Sequence, residues 1–165
     1  MTNSAYIGID LGTSGCRAIA INQIGDVIAQ SQQTTPTPVS IPPKFEQDPQ
    51  QQWSVVENVL TQLFLQLKDY QVQNIAVDAT SGSVLLVDDK GKALTPILMY
   101  NDARSLAEAA QIKQAAPAES GAHGASSGLA KLLHLQQQFK PNDTFKLSHQ
   151  ADWINVKLGA DIGIS

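Results

Sequence analysis

Tyr6, Ile7 and Ile9 form a first apolar run that stops at Asp10; a Gly-Thr-Ser-Gly break follows, and Arg17 to Asn22 return as a second run. Bulk and β-branching predict two strands joined by a tight turn that Gly12 and Gly15 bracket. Ile24 to Ala29 continues past a Gly25-Asp26 turn, so a third antiparallel strand is expected to run to about Thr34. Thr35 to Pro43 holds four prolines, which excludes helix and central strand and marks a short surface connection. Asp48-Pro49 then provides a cap and a first helical residue, and Trp53, Val56, Leu60, Leu63, Phe64 and Leu67 recur at helical spacing down to Lys68. One face of that helix is expected to pack on the sheet.

Beyond it, short apolar strands are predicted at Asn74 to Asp78, Ser83 to Val87 and Pro96 to Met99, with an Asp88-Asp89-Lys90-Gly91 turn between the last two. Helices follow at Ala103 to Ala116, around Leu129, Leu132, Leu133, Leu135 and Phe139, and from about His149 to Leu158; Glu119 to Ser127 reads as a loop. Pro141-Asn142 closes the second of these helices. Strands first, then strand and helix in alternation, predict an α/β fold with a mixed sheet and flanking helices.

Length and composition narrow the picture. With 165 residues and 42% hydrophobic residues, the chain is expected to bury about two-thirds of its unfolded surface in one globular domain. A net charge of −4 and scattered Lys and Arg argue against a nucleic-acid partner and favour a small metabolite or a protein. The single cysteine, Cys16, precludes an internal disulfide and reads as a small packing residue of a reducing compartment. No apolar run reaches the length of about 20 residues that a bilayer span needs, and Met1 to Ala5 carry no signal core, so a soluble, cytoplasmic protein without membrane contact is expected. His123, His134 and His149 stand far apart and define no metal site.

The chemistry concentrates at the first hairpin. A turn of this composition aims backbone N–H groups and the Thr13 and Ser14 hydroxyls at phosphate oxygens, and a carboxylate at its mouth, Asp10, suits Mg²⁺ bound against the same phosphates. The alternative is an ordinary hairpin with a polar turn. A second carboxylate followed by small polar residues, Asp78-Ala79-Thr80-Ser81-Gly82, echoes the first.

Six segments in register, IGIDLGTSGCRA, FEQDPQQQW, VDATSGSVLLVD, PILMYNDARS, SSGLAKLLHL and LSHQADWINVKLG, resemble the amino-terminal half of the FGGY carbohydrate kinases. That family includes glycerol kinase, xylulokinase, gluconokinase and the ribulokinases; HQADW and DATSG are most similar to D-ribulose kinases related to xylulokinase. The resemblance implies a ribonuclease-H-like domain of the actin and hexokinase superfamily, incomplete here, and ATP with Mg²⁺ as cofactors. It implies that Asp10, Gly12, Thr13 and Ser14 handle the Mg²⁺-bound phosphates, with Asp10 as the metal ligand. Arg17 is then either a phosphate-side cation or the partner of Asp10 or a neighbour in a structural ion pair. Ser81 and Gly82 fall on the sugar-contacting loop, unless Ser81 only caps a turn. Tyr100 stands where relatives often place a Trp against the substrate, or is a core residue whose hydroxyl meets a carbonyl. Asp102 either contacts sugar or pairs locally with Arg104; Asp78 is implied to be framework, and Trp53 and Trp153 to pack helices.

Phosphoryl transfer to an alcohol also needs a base for the hydroxyl proton. The resemblance places that base, the second phosphate loop and the adenine pocket in a carboxy-terminal part outside these 165 residues. Residues 1–165 are thus expected to be the truncated amino-terminal domain of a sugar or polyol kinase, of very low activity alone: an expression fragment, a broken reading frame or half of a split enzyme. A surface left uncovered would favour a homodimer or a complementing carboxy-terminal fragment as partner. The competing reading is a non-catalytic sugar-binding or assembly module of the same fold; a regulatory relative that binds nucleotide and transfers nothing is a third.

Overall fold

The computed structural model describes residues 3–140 and 144–162. They pack as two compact units, Met1–Thr37 with Gln50–Thr80 and Pro38–Pro49 with Ser81–Ser165.

In the first unit, β1 (Asn3–Leu11), β2 (Gly15–Ile21), β3 (Val27–Thr34) and β6 (Tyr70–Ala79) form a four-stranded sheet of order β3-β2-β1-β6. The first three are antiparallel neighbours, while β1 and β6 run parallel, so the sheet is mixed as expected. The parallel return requires a crossover, and α1 (Pro49–Gln66) lies within it. Alternation buries Ala5, Ile7, Ile9 and Leu11 of β1 with Cys16, Ala18 and Ala20 of β2 on one face. From α1 the buried apolar residues are Val55, Val56, Val59, Leu60 and Leu63. The stripe is rotated from the expected one: Phe64 is largely exposed and Trp53 half-buried, because Val55 and Val59 take the inward positions. The third strand also starts later than predicted. Asn22 Oδ1 accepts from the amides of Ile24 and Asp26 (3.0 and 2.9 Å), which ties Ile24 into the turn.

In the second unit, β4 (Val39–Ile41), β5 (Lys44–Gln47), β7 (Val84–Val87), β8 (Ile97–Leu98) and β9 (Lys146–His149) form an antiparallel sheet of order β4-β5-β8-β7-β9. The single mixed sheet of the sequence reading is thus two sheets. The proline-rich stretch holds no central strand, but Val39–Ile41 and Lys44–Gln47 pair as an edge hairpin around Pro42-Pro43. Central β7 is buried throughout, and Val84, Leu86, Leu98 and Leu135 make a core against which Leu132, Phe145 and Leu147 pack.

The helices of this unit are α2 (Leu106–Ala115), α3 (Gly128–Phe139) and α4 (Gln150–Lys157), with one 3₁₀ turn at Gly121–His123. Ser127 caps α3 by accepting from the amide of Ala130 at 3.2 Å. The expected stop at Pro141-Asn142 lies outside the described residues. The second helix begins at Leu106 rather than Ala103, because the Ala103 amide donates to Pro43 O and the Arg104 amide to Asp102 Oδ1.

Trp153 of α4 is buried, and its indole N–H donates to Gly91 O at 3.1 Å. Gly91 has φ +77, and a β-carbon there would stand 2.4 Å from Val156 Cγ1. Gly91→Ala is expected to cost about 2–4 kcal/mol, combining left-handed strain with overpacking. Urea unfolding followed by Trp fluorescence measures it; an unchanged midpoint would refute this account of the turn.

Candidate active site

The expected site residues fall in two patches, one inside each unit. Asp10, Gly12, Thr13, Ser14 and Arg17 belong to the first unit; Ser81, Gly82, Tyr100 and Asp102 belong to the second.

The turn after β1 is closed by the Gly12 amide donating to Gly15 O at 2.9 Å, so that amide is turned inward. Two further bonds pin it from the end of β3: the Thr35 amide donates to Ser14 O (3.1 Å) and Thr35 Oγ1 donates to Thr13 O (3.0 Å). Gly15 passes so close to β3 that a β-carbon would lie 3.1 Å from Gln33 O. The turn is therefore rigidly held, and Ser14 at its tip is exposed.

Register does the rest. Asp10 stands between Arg17 of β2 and Asp78 of β6, so a base, an acid and a second acid cross three adjacent strands on the solvent face of the sheet. Among the described residues Asp10 and Arg17 form no ion pair, which removes the structural-pair alternative for Arg17 and leaves both groups presented to solvent. Two hollows share these side chains. One, of about 390 Å³, is lined by Asp10, Gly12, Ser14, Arg17 and Gln32 among others; the other, of about 360 Å³, runs over Gly8, Asp10, Arg17, Ile19, Ala76 and Asp78. Beneath them, burial and then the nearby Asp10 carboxylate push the Cys16 thiol up to about 11, so it is an inert packing residue as expected.

The fold adds two residues to this patch, Asp78 and Gln32. The signal for Asp78 was the repeated carboxylate-then-small-residue pattern, which becomes informative only when the parallel register sets it beside Asp10. Gln32 faces Arg17 across β2 and β3, and no motif marks it.

In the second patch, Gly82 has φ +81, a turn conformation that glycine adopts without strain. A β-carbon on it would lie 3.8 Å from Tyr100 Cα and Cβ, so the two turns are neighbours. Tyr100 is 47% exposed, which rules out the core alternative and leaves an aromatic face open beside Gly82 and the exposed Ser81. Asp102 is fully buried. Its Oδ2 accepts from the Phe45 amide at 2.8 Å, and both oxygens accept from Arg104 Nε at 3.1 and 3.0 Å. Arg104 also reaches Glu46 Oε1 at 2.6 Å. The local pair is thus formed, and Asp102 bears on the patch from below. Burial alone would lower the Arg104 pKa, but Asp102 and Glu46 outweigh it and hold the guanidinium above its usual range.

Asp10 and Asp78 set hard oxygen donors on neighbouring strands, with Arg17 across from Asp10 on the other side, and such a set would suit a Mg²⁺-phosphate group: one or two carboxylates for the metal and a cation for phosphate oxygens. Among the described residues no group of three or more His, Cys, Asp or Glu stands close enough to hold a metal ion.

Comparison with known proteins identifies the family. Residues 5–126 match the model of the FGGY family of carbohydrate kinases, N-terminal domain. The xylulose kinase of Escherichia coli K12 is 33% identical over 114 residues, which cover 68% of this chain and 23% of that enzyme. The crystal structure of xylulose kinase from Rhodospirillum rubrum superposes with a TM-score of 0.78 at 26% identity, covering 92% of this chain and 33% of that one. Glycerol kinase of Plasmodium falciparum, solved with ADP, gives the same TM-score at 16% identity, a likeness of fold, over 92% of this chain and 33% of that one. The chain therefore spans about a quarter to a third of the length of these relatives.

The fold is that of the sugar kinases, ribonuclease-H-like in the manner of actin and hexokinase. The chain belongs to the FGGY family of carbohydrate kinases, of which it carries the amino-terminal part. Among the described residues no helix is long and apolar enough to cross a membrane.

Proposed function

We propose that this chain is the amino-terminal domain of an ATP-dependent kinase that phosphorylates a hydroxyl of a ketopentose, D-xylulose or D-ribulose, or a related polyol. The observation that carries the reading is the row Asp10, Arg17 and Asp78 beside a turn that Thr35 pins in place.

In this reading Asp10 and Asp78 would hold the metal, directly or through water, while Arg17 and Ser14 would meet phosphate oxygens, with Gly12 and Thr13 shaping the turn. ATP would supply the phosphoryl group, and Mg²⁺ would neutralise charge on its oxygens. Ser81 and the Gly82 backbone offer polar contacts to sugar hydroxyls, and the Tyr100 face offers apolar contact to its C–H side. Asp102 acts on sugar by fixing the turn that carries Tyr100. Among the described residues of the sugar-side patch, the carboxylate of Asp102 is spent on Arg104 and Phe45 and is not free to accept the substrate proton. The base therefore comes from elsewhere in the complete kinase, and this chain alone is expected to be nearly inactive.

The test is sugar-dependent ADP formation by this chain and by any longer product of its locus, with D-xylulose, D-ribulose, glycerol and gluconate. We expect turnover by the longer product only, highest with a ketopentose. Robust turnover by the 165-residue chain would sink the incomplete-kinase reading, and turnover by neither would leave the non-catalytic binding module as the better account.

A further inference from the structure

Lys131 lies in α3 and is fully buried, an unusual place for an ammonium group. Its Nζ donates to Gly82 O and Met99 O at 2.8 Å each, and more weakly to Tyr100 O at 3.4 Å. Three donors thus meet three carbonyls. The carbonyls come from two turns that the sheet does not join: β7 and β8 share only the pair Val84 with Leu98, so Gly82 lies before that ladder and Tyr100 beyond it. The lysine takes the place of the missing rungs.

We propose that Lys131 is the positioning residue of the sugar-side patch: its ammonium clasps the Ser81-Gly82 turn to the Met99-Tyr100 turn and so sets the spacing between the Gly82 backbone and the Tyr100 ring. The inference rests on the sugar-side reading above for its functional consequence, but the clasp itself stands on the three bonds.

The surroundings make this lysine sensitive. Burial lowers its pKa to about 8, partly opposed by Asp102. Asp102 is the carboxylate that acts on it, and its oxygens are engaged by Arg104 and the Phe45 amide. From α2 comes Glu108, which pairs with His134 at 3.5 Å, and the 3₁₀ turn brings His123. β7 offers only Val84–Val87, and Lys146 and His149 of β9 are exposed. Above pH 8 the ammonium loses a proton and with it one of its three donors, so the clasp loosens. The folded pKa lies below the unfolded value of 10.5, so between about pH 8 and 10.5 the unfolded chain binds more protons. Global stability from this group therefore rises over the interval in which the local clasp weakens.

The experiment is an NMR titration of the 165-residue chain from pH 6 to 11. We expect the Lys131 ¹³Cε resonance to move with a midpoint near 8, well below an ordinary lysine, and the Gly82 and Tyr100 amides to follow that midpoint. In Lys131→Met the same two amides are expected to shift and to stop titrating, and D-xylulose to bind about tenfold more weakly than to the wild type. Gly82 and Tyr100 amides that stay still through the Lys131 transition would overturn the proposal, even if Lys131→Met fails to fold. A wild-type chain that ignores D-xylulose would count against the sugar-side reading, and the co-titration would still decide the clasp.

Discussion

Replacing Asp10 with alanine in the catalytically complete product is expected to lower kcat about 10³-fold, the scale on which removing one preorganised electrostatic contact acts. Asp10 is exposed at the end of β1, and among the described residues its carboxylate holds no hydrogen bond or ion pair. Its removal therefore costs the fold little. What it takes away is one of the two carboxylates that register places side by side, leaving Asp78 and an uncompensated Arg17. Asp10→Asn separates charge from shape, and a loss close to that of alanine is expected because an amide is a poor Mg²⁺ ligand. There is also a readout that needs no turnover. The Asp10 charge helps raise the Cys16 thiol, so either variant is expected to lower that pKa modestly from about 11, with burial still keeping it high. Full activity in Asp10→Ala would remove the hairpin from the phosphate-handling role.

The elements that the sequence made legible are those whose period is long enough to read. The hairpin of β1 and β2, with glycines at both ends of its turn, appears where the alternation put it, and α1 starts at Pro49 as the cap and proline predict. The boundaries that moved were set by contacts no local pattern carries. The second helix lost its first turn to Asp102 and Pro43, and β6 extends four residues further back, to Tyr70, because β1 offers a parallel partner over its whole length. β9 went unread since Phe145 and Leu147 alternate over only four residues, too few to stand out without β7 beside them. The division into two sheets was equally hidden, because strand order depends on which edges meet.

The site follows the same rule. Its turn was legible as a motif, and the Gly12–Gly15 bond with the close approach of Gly15 to β3 shows why glycines bracket it. Pairwise geometry was not legible: Asp78 beside Asp10, and Lys131 under Gly82 and Tyr100, are neighbours only through register and packing. Asp102 shows the converse, a motif residue whose polar atoms the fold commits to its own framework.

That commitment yields the largest expected effect on stability. Asp102→Ala is expected to cost about 3–5 kcal/mol, because it strands a buried guanidinium and leaves the Phe45 amide without an acceptor. Glu46 keeps Arg104 partly paired, at 2.6 Å, which sets the estimate below outright loss of both partners. The Lys131 ammonium also loses the one carboxylate that raises its pKa, so that value falls further and the clasp on Gly82 and Tyr100 loosens at lower pH. The loss is a sizeable share of the roughly 5–15 kcal/mol that holds a typical domain together. The two tryptophans report it separately, since Trp153 sits buried in the second unit and Trp53 on α1. Urea unfolding of Asp102→Ala is expected to shift the Trp153 transition strongly, and a coincident, unshifted curve would show that the carboxylate contributes little. Asp102→Asn keeps one acceptor for Phe45 and is expected to fold at a smaller cost. If that variant folds but binds D-xylulose as tightly as the parent, Asp102 serves only the framework; if affinity falls while the Trp153 transition is retained, its hold on Arg104 is what keeps the Tyr100 turn in place for sugar.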